Sequence, residues 1–156
     1  MILQPNITLD EQVCELIKQN TLSIVDRIKL TLANFVAELY PSNEVYINAN
    51  QQGANPPCFF VDLFEVSKRK MLGESAKYEV GFTISYIPSN PLSDTELHNV
   101  IFKMQQHITD ITDYQIYNVN SDITDQIANI TGTITVLEAN IKEDPIIIKA
   151  SKELIQ

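Results

Sequence analysis

The chain has 156 residues, of which 44% are hydrophobic, and it carries a net charge of −9. This length predicts one domain with a substantial core, and the composition excludes an intrinsically disordered chain. The acidic balance disfavours nonspecific binding to nucleic acid or to an anionic membrane, and no apolar run approaches the roughly 18 residues of a membrane span.

Two helices are predicted at the start of the chain. The first begins after Thr8, which fits a capping box with Glu11, and it stops at Asn20. A longer helix is predicted over residues 22–39, because its apolar residues recur at the spacing of one helical face. It ends at Tyr40, since a residue that precedes proline is pushed out of the helical region.

The middle of the chain is predicted to form strands. A short strand is expected over residues 44–50, and two longer ones over residues 58–66 and 76–87. In the last of these, large apolar residues alternate with smaller or polar ones, which is typical of a strand with one buried face. The intervening residues 67–75 are predicted to form a long basic hairpin tip that turns at Gly73.

The remaining elements complete an α+β pattern. A third helix is predicted to begin at Ser93, which fits a second capping box with Glu96. Residues 114–123 have the pattern of a strand and turn, and residues 129–141 are rich in β-branched residues. The order of elements and the short links predict a mainly antiparallel sheet with a long β-hairpin, packed against helices on one face.

Charge is segregated along the chain. Four of the eleven basic residues fall within ten positions at the predicted hairpin tip, whereas residues 105–141 contain no Lys or Arg. Such a run is commonly a solvated tip, and it lacks the interleaved aromatic residues of single-strand nucleic-acid binders. Contact with an acidic partner or a neighbouring copy is at least as compatible with it. The candidate interaction residues are Lys68, Arg69, Lys70, Met71, Leu72 and Lys77.

Cysteine and histidine do not form a predicted catalytic site. Cys58 precedes Phe59 at the start of an apolar strand, which favours a buried structural residue over a reactive thiolate. With Cys14 it provides no disulfide framework, which favours a reducing compartment. His98 and His107 lie on opposite sides of one predicted helix, so they cannot jointly bind a metal from it.

The acidic residues are not predicted to bind calcium. Two spaced aspartate pairs lack the glycine and the terminal glutamate of a known calcium loop, so solvated acids near turns are the favoured interpretation. The pairs are Asp110 with Asp113 and Asp122 with Asp125. The sequence therefore predicts no catalytic residue, no metal and no cofactor.

The stretch GANPPCF, which begins at Gly53, belongs to an ordered series of motifs. The series resembles the tail terminator proteins of phages and prophages of Gram-positive bacteria, over about residues 22–141. The matching positions are Tyr46, Gln52-Gly53, Pro57-Cys58-Phe59-Phe60, Leu72-Gly73, and the alternation from Tyr78 through Phe82, Ile84 and Tyr86 to Pro88.

This resemblance implies a structural virion protein and not an enzyme. It implies a ring, six-fold in the expected case, that caps the tail tube, ends tail polymerisation and provides the head–tail joining surface. The implied partners are further copies of the chain, the tail tube protein, the neck or connector protein and, in a contractile tail, the sheath protein. DNA would pass through the lumen without specific binding, and no membrane is involved.

The implied location is the tail–neck junction of the virion, after assembly in the cytoplasm of the bacterial host. Two alternatives remain open at this point. One is a neck or head-completion connector protein of related fold. The other, which is less favoured, is a small ligand-binding or thiol enzyme domain with Cys58 or the aspartate pairs at its site.

Both ends of the chain exceed the core that the resemblance covers. Residues 1–20 are expected to form an N-terminal helical extension, residues 21–141 the α+β tail-terminator-like domain, and residues 142–156 a C-terminal arm. The apolar run of this arm is a second candidate contact. It consists of Ile146, Ile147 and Ile148.

Overall fold

A computed structural model describes residues 1–47, 53–70, 73, 75–90, 94–138 and 145–148. Within them the chain forms three α-helices, one 3-10 turn and eight strands. The helical segments are α1 (Glu11–Lys18), α2 (Ile24–Leu39), α3 (Asp94–His107) and the 3-10 turn Ile108–Asp110. The strands are β1 (Ile2–Leu3), β2 (Ile7–Thr8), β3 (Glu44–Ile47), β4 (Cys58–Lys70), β5 (Ala76–Ile87), β6 (Gln115–Thr124), β7 (Ile127–Leu137) and β8 (Ile147–Ile148).

Six of the strands form one sheet in the order β2-β3-β4-β5-β7-β6. The pairs from β4 to β6 are antiparallel, whereas β2, β3 and β4 are parallel to one another. The connection from β2 to β3 runs through α1 and α2, and such a crossover allows two strands to pair in parallel. The α+β prediction with a mostly antiparallel sheet is confirmed.

The helices pack on one face of this sheet. Val61, Ile84 and Ile130 lie opposite one another on three neighbouring strands, and all three are fully buried. The same core contains the buried residues of α2 and α3, as their apolar spacing predicts. We call the other face of the sheet the open face, and where β5 meets β7 it carries Thr83, Ser85, Asn129, Thr131 and Thr133.

An aromatic cluster joins the sheet to α2 and α3. The ring of Phe59 lies 4.8 Å from that of Tyr40 and 4.8 Å from that of Tyr86. The hydroxyl of Tyr86 donates a hydrogen bond to the carboxylate of Glu96. Burial and this hydrogen bond raise the pKa of Tyr86 above its ordinary value. The cluster therefore ties the end of α2 and the start of α3 to the same two strands.

The first helix begins later than the sequence predicts. Asp10, and not Thr8, is the N-cap, and its carboxylate accepts a hydrogen bond of 2.8 Å from the amide of Val13. Thr8 is instead part of β2, and its hydroxyl donates to Glu44 at 2.7 Å. Thr8 therefore pairs in the sheet and, contrary to the prediction from the capping pattern, does not cap the helix. The predicted stop at Asn20 is confirmed, since its φ of 54° is left-handed.

The second helix has a capping box that the sequence analysis did not assign. Its first residue is Ile24, and the side chains of Ser23 and Asp26 each bond to the backbone amide of the other. The capping box predicted for α3 involves Ser93, which lies outside the described residues. Its predicted partner Glu96 accepts the hydrogen bond from the tyrosine of β5.

Candidate functional site

The outer half of β4 is the strongest candidate for a functional site. The sequence predicts a strand that ends at Val66, whereas β4 continues to Lys70. The basic residues therefore lie in a paired strand and not in a loop. The long alternation of β5 offers a partner as far as Ala76, and this pairing outweighs the low strand preference of lysine. We call residues 64–70 the distal arm.

A β-bulge separates the distal arm from the rest of β4. Val61 lies opposite Ile84, but the register shifts between Leu63 and Glu65, so that Glu65 lies opposite Gly81. A bulge adds one residue to one strand and reverses which side chains point to each face. The odd-numbered residues of β4 therefore face the helices before the bulge and the open face after it.

The bulge distributes the basic side chains over both faces. Lys68 lies opposite Tyr78 on the helical side, with its Nζ 5.6 Å from the centre of the tyrosine ring. Arg69 lies opposite Lys77 on the open face, where Lys77 forms a 3.4 Å ion pair with Glu79. The structure thus places these predicted site residues side by side but does not gather them into one patch.

Two basic residues of the arm, Arg69 and Lys70, are exposed. Neither Arg69 nor Lys70 has an ion pair with any residue in the described part of the chain. The predicted site residues Met71 and Leu72 lie outside the described residues.

The distal arm also exposes apolar side chains and a strand edge. β3 pairs with β4 only from Cys58 to Val61, and no strand in the described ranges covers the outer edge of residues 62–70. Phe64 and Val66 are 61% and 52% exposed. An unpaired edge that carries exposed apolar residues is a common site of protein–protein contact.

Residues 145–148 of the predicted C-terminal arm lie against the N-terminus. Ile147 and Ile148 form β8, which pairs in parallel with Ile2–Leu3. The amino group of Met1 donates to the carbonyl of Pro145 at 3.0 Å. Ile146 and Ile148 pack against the core, whereas Ile147 is exposed. The sequence pattern predicts neither β1 nor this pairing.

A groove in the helical layer is a further surface that the sequence does not predict. It measures about 690 Å³ and lies between β1, the second half of α2 and residues 107–113. Its apolar lining includes Ile2, Phe35, Leu39 and Ile111. Its carboxylates are Glu38, Asp110 and Asp113, and all three side chains are exposed.

The groove is acidic overall. The carboxylate of Asp110 lies 3.0 Å from Nδ1 of His107, and Glu38 accepts a 3.3 Å hydrogen bond from Gln4. Among the residues that line the groove, the positively charged group is the amino terminus of Met1, which already donates to a backbone carbonyl. Beside the groove, Nζ of Lys103 lies 3.4 Å from the carbonyl of Leu39. The lining residues therefore combine three carboxylates with one ammonium group and one imidazole. We call this surface the acidic groove.

Two of the other candidate residues, Cys58 and Asp122, contact their own chain. Cys58 is fully buried at the start of β4, and burial raises the pKa of its thiol. Asp122 accepts a hydrogen bond of 3.1 Å from Asn129. Within the described ranges, no group of three or more His, Cys, Asp or Glu residues is arranged to hold a metal ion. No helix in these ranges is long and apolar enough to cross a membrane.

An exposed strand edge with charged and apolar side chains is a kind of surface that proteins use to bind other protein chains. The chain matches the model of the phage tail terminator protein family over residues 23–146, and it belongs to this family. It is therefore a structural protein of the phage tail and a component of the virion. No curated protein matches the chain significantly. The match confirms the resemblance and includes β3 to β7, whereas β1, β2 and α1 precede it.

Proposed function

We propose that this tail terminator forms a ring of six copies that caps the tail tube and ends its polymerisation. The ring also presents the surface that joins the neck or connector protein of the head. The observation that carries this proposal is the distal arm, an exposed basic and apolar strand edge in a protein of this family. The ring would assemble in the bacterial host cytoplasm.

Elementary physics supports a ring with a DNA-conducting lumen. A contact between two different surfaces of the same chain generates a ring when the rotation between copies closes. The chain has such different surfaces, because four of its eleven basic residues lie in or beside the distal arm and residues 105–141 have none. A net charge of −9 disfavours DNA adhesion, so the genome would pass without specific binding.

Charge reversal in the distal arm tests the proposal. Replacing Lys68, Arg69 and Lys70 with glutamate in the phage that encodes this chain should give headless or over-long tails. The reason is that the arm would then repel the acidic surface that it contacts. Electron microscopy of the lysate measures tail length and the fraction of tails with heads.

A matched control separates the arm from a general effect of charge. Lys18 is an exposed base on α1 whose ion pair with Glu15 spans 3.8 Å. We expect Lys18→Glu to give normal virions, whereas Arg69→Glu, with the same change of charge, should reduce them. Normal tail length and normal heads in the triple variant would show that the arm is not an assembly contact.

A further inference from the structure

The geometry points to a specific partner for the distal arm: we propose that the arm of one copy binds the acidic groove of the next copy. This inference rests on the proposed ring and identifies the two surfaces that would meet in it. The arm does not line the groove of its own chain, so the contact would be between chains. Two different surfaces of one protein would then join head to tail.

Charge complementarity is the first argument. Arg69 and Lys70 have no ion pair among the described residues, and the groove presents Glu38 and Asp113 to solvent. Arginine and carboxylate form paired hydrogen bonds that fix both position and orientation. A basic arm against an acidic groove would also accelerate encounter between copies and suppress pairing of like surfaces.

Apolar complementarity is the second argument. The arm exposes Phe64 and Val66, and Phe35 and Leu39 line the groove. A charged strand edge that only avoids aggregation would not need these exposed apolar residues. Buried aromatic residues with a polar rim, in which arginine is enriched, are the usual composition of a stable protein interface.

Pairing of the distal arm with a strand of a neighbouring copy is a less suitable contact than the acidic groove. The other edge of the sheet is β6, which a neighbouring β4 could in principle extend. However, β6 has a register irregularity between Tyr117 and Asn120, and Asn118 has a φ of 54°. Such a bulge interrupts the regular edge that strand addition requires. Binding in the acidic groove does not require a regular strand edge.

A charge-swap experiment tests the inference. The arm variant carries Arg69→Glu and Lys70→Glu, and the groove variant carries Glu38→Lys and Asp113→Lys. Each variant alone places like charges at every contact, and we expect it to lower the yield of infectious virions about 100-fold in a phage that lacks this chain. Each variant is produced from a plasmid, and its thermal unfolding is compared with that of the wild type to confirm folding.

Co-expression of the two variants should restore virions. The arm of each variant then meets the groove of the other with opposite charges, so the two alternate around a six-membered ring. A chain with all four substitutions should also restore them, since every contact is again between opposite charges. Native mass spectrometry of co-expressed rings, where rings form free in solution, should show equal numbers of the two variants. The exchange Glu15→Lys with Lys18→Glu on α1 is the matched control and should change nothing.

The outcomes separate the two proposals. Loss of virions with each variant and no rescue by mixing or by the four-fold variant would overturn the inference, because the arm would then contact another protein such as the tail tube. Normal virions from either single variant would overturn it as well. Failure of the proposed function itself would look different: removal of the whole chain would leave tails of normal length that join heads.

Discussion

The two halves of β4 differ in how much of their side chains they expose to solvent. Residues 58–61 are buried, whereas every residue of the distal arm is exposed. Both halves pair with the same strand β5. The change occurs at the bulge between Leu63 and Glu65. One strand therefore combines a segment that holds the fold together with a segment whose side chains are left for other molecules.

The buried half is enclosed on three sides. Phe59 packs into the aromatic cluster under the helices, and Phe60 stacks on Tyr46 on the open face, with ring centres 5.1 Å apart. β3 covers its edge from Cys58 to Val61. No such cover reaches the distal arm from the described residues. Exposure in the arm is thus a consequence of where the neighbouring elements end.

Alanine substitution of one phenylalanine in each half gives the largest expected contrast. Phe59→Ala should lower the free energy of unfolding by about 3–5 kcal/mol, because it leaves a cavity in the aromatic cluster. Phe64→Ala should lower it by under about 1 kcal/mol, because its ring is mostly exposed. Urea unfolding of both purified variants, followed by circular dichroism, measures the difference.

Assembly should depend on Phe64 although the stability of the isolated chain does not. Phe64→Ala should reduce assembly of the protein ring, or of virions, while the chain stays folded. The reason is that the aromatic side chain of Phe64 is exposed and can contact a partner. A loss of unfolding free energy at Phe64 as large as that at Phe59 would mean that the two halves of β4 form one structural unit. The contrast between stability and contact would then be wrong.

Alanine substitution of two glycines in the sheet should give a smaller difference in stability. A Cβ at Gly132 would lie 2.7 Å from the buried ring of Phe82, and a Cβ at Gly81 would lie 2.5 Å from the ring of Phe64. Phe64 is exposed and can move, whereas Phe82 is fully buried. Gly132→Ala should therefore cost about 1–3 kcal/mol through overpacking.

Gly81→Ala should be close to neutral, because alanine favours a strand over glycine by about 0.5–1 kcal/mol and offsets the movement of the ring. Thermal unfolding of the two variants provides the comparison. A larger cost at Gly81 than at Gly132 would show that the ring of Phe64 is fixed in the isolated chain and is not free to engage a partner.

Sequence periodicity could predict the elements with long patterns. The alternation of β5 and the apolar stripe of α2 correspond to the observed strand and helix, because burial of one face dictates both patterns. β1 and β2 have two residues each, which is too short for any periodicity. Their positions depend on partners that are distant in the chain, such as Ile147 and Val45.

The candidate site was predictable only in part. Composition located the basic residues, but the bulge that divides them between two faces depends on pairing with β5 and not on their own sequence. The acidic groove combines segments more than thirty positions apart, including Ile2, Glu38 and Asp113. A surface of this kind forms only when the helices and strands pack together. Charge segregation in the sequence therefore indicated that the groove would be negatively charged, but it did not indicate the shape of the groove.

The smallest expected difference in the free energy of unfolding is between alanine variants of two lysines that lie over tyrosine rings. Lys103 lies 4.7 Å from the ring of Tyr40, which belongs to the aromatic cluster, and Lys68 of the distal arm lies 5.6 Å from the ring of Tyr78. Lys103→Ala should cost about 0.5–1 kcal/mol, whereas Lys68→Ala should cost less, since cation–π contacts weaken with distance and exposure. Paired urea titrations resolve the order. An equal or greater cost at Lys68 would mean that this side chain is committed to its own fold, and the arm would then offer Arg69 and Lys70 alone to a partner.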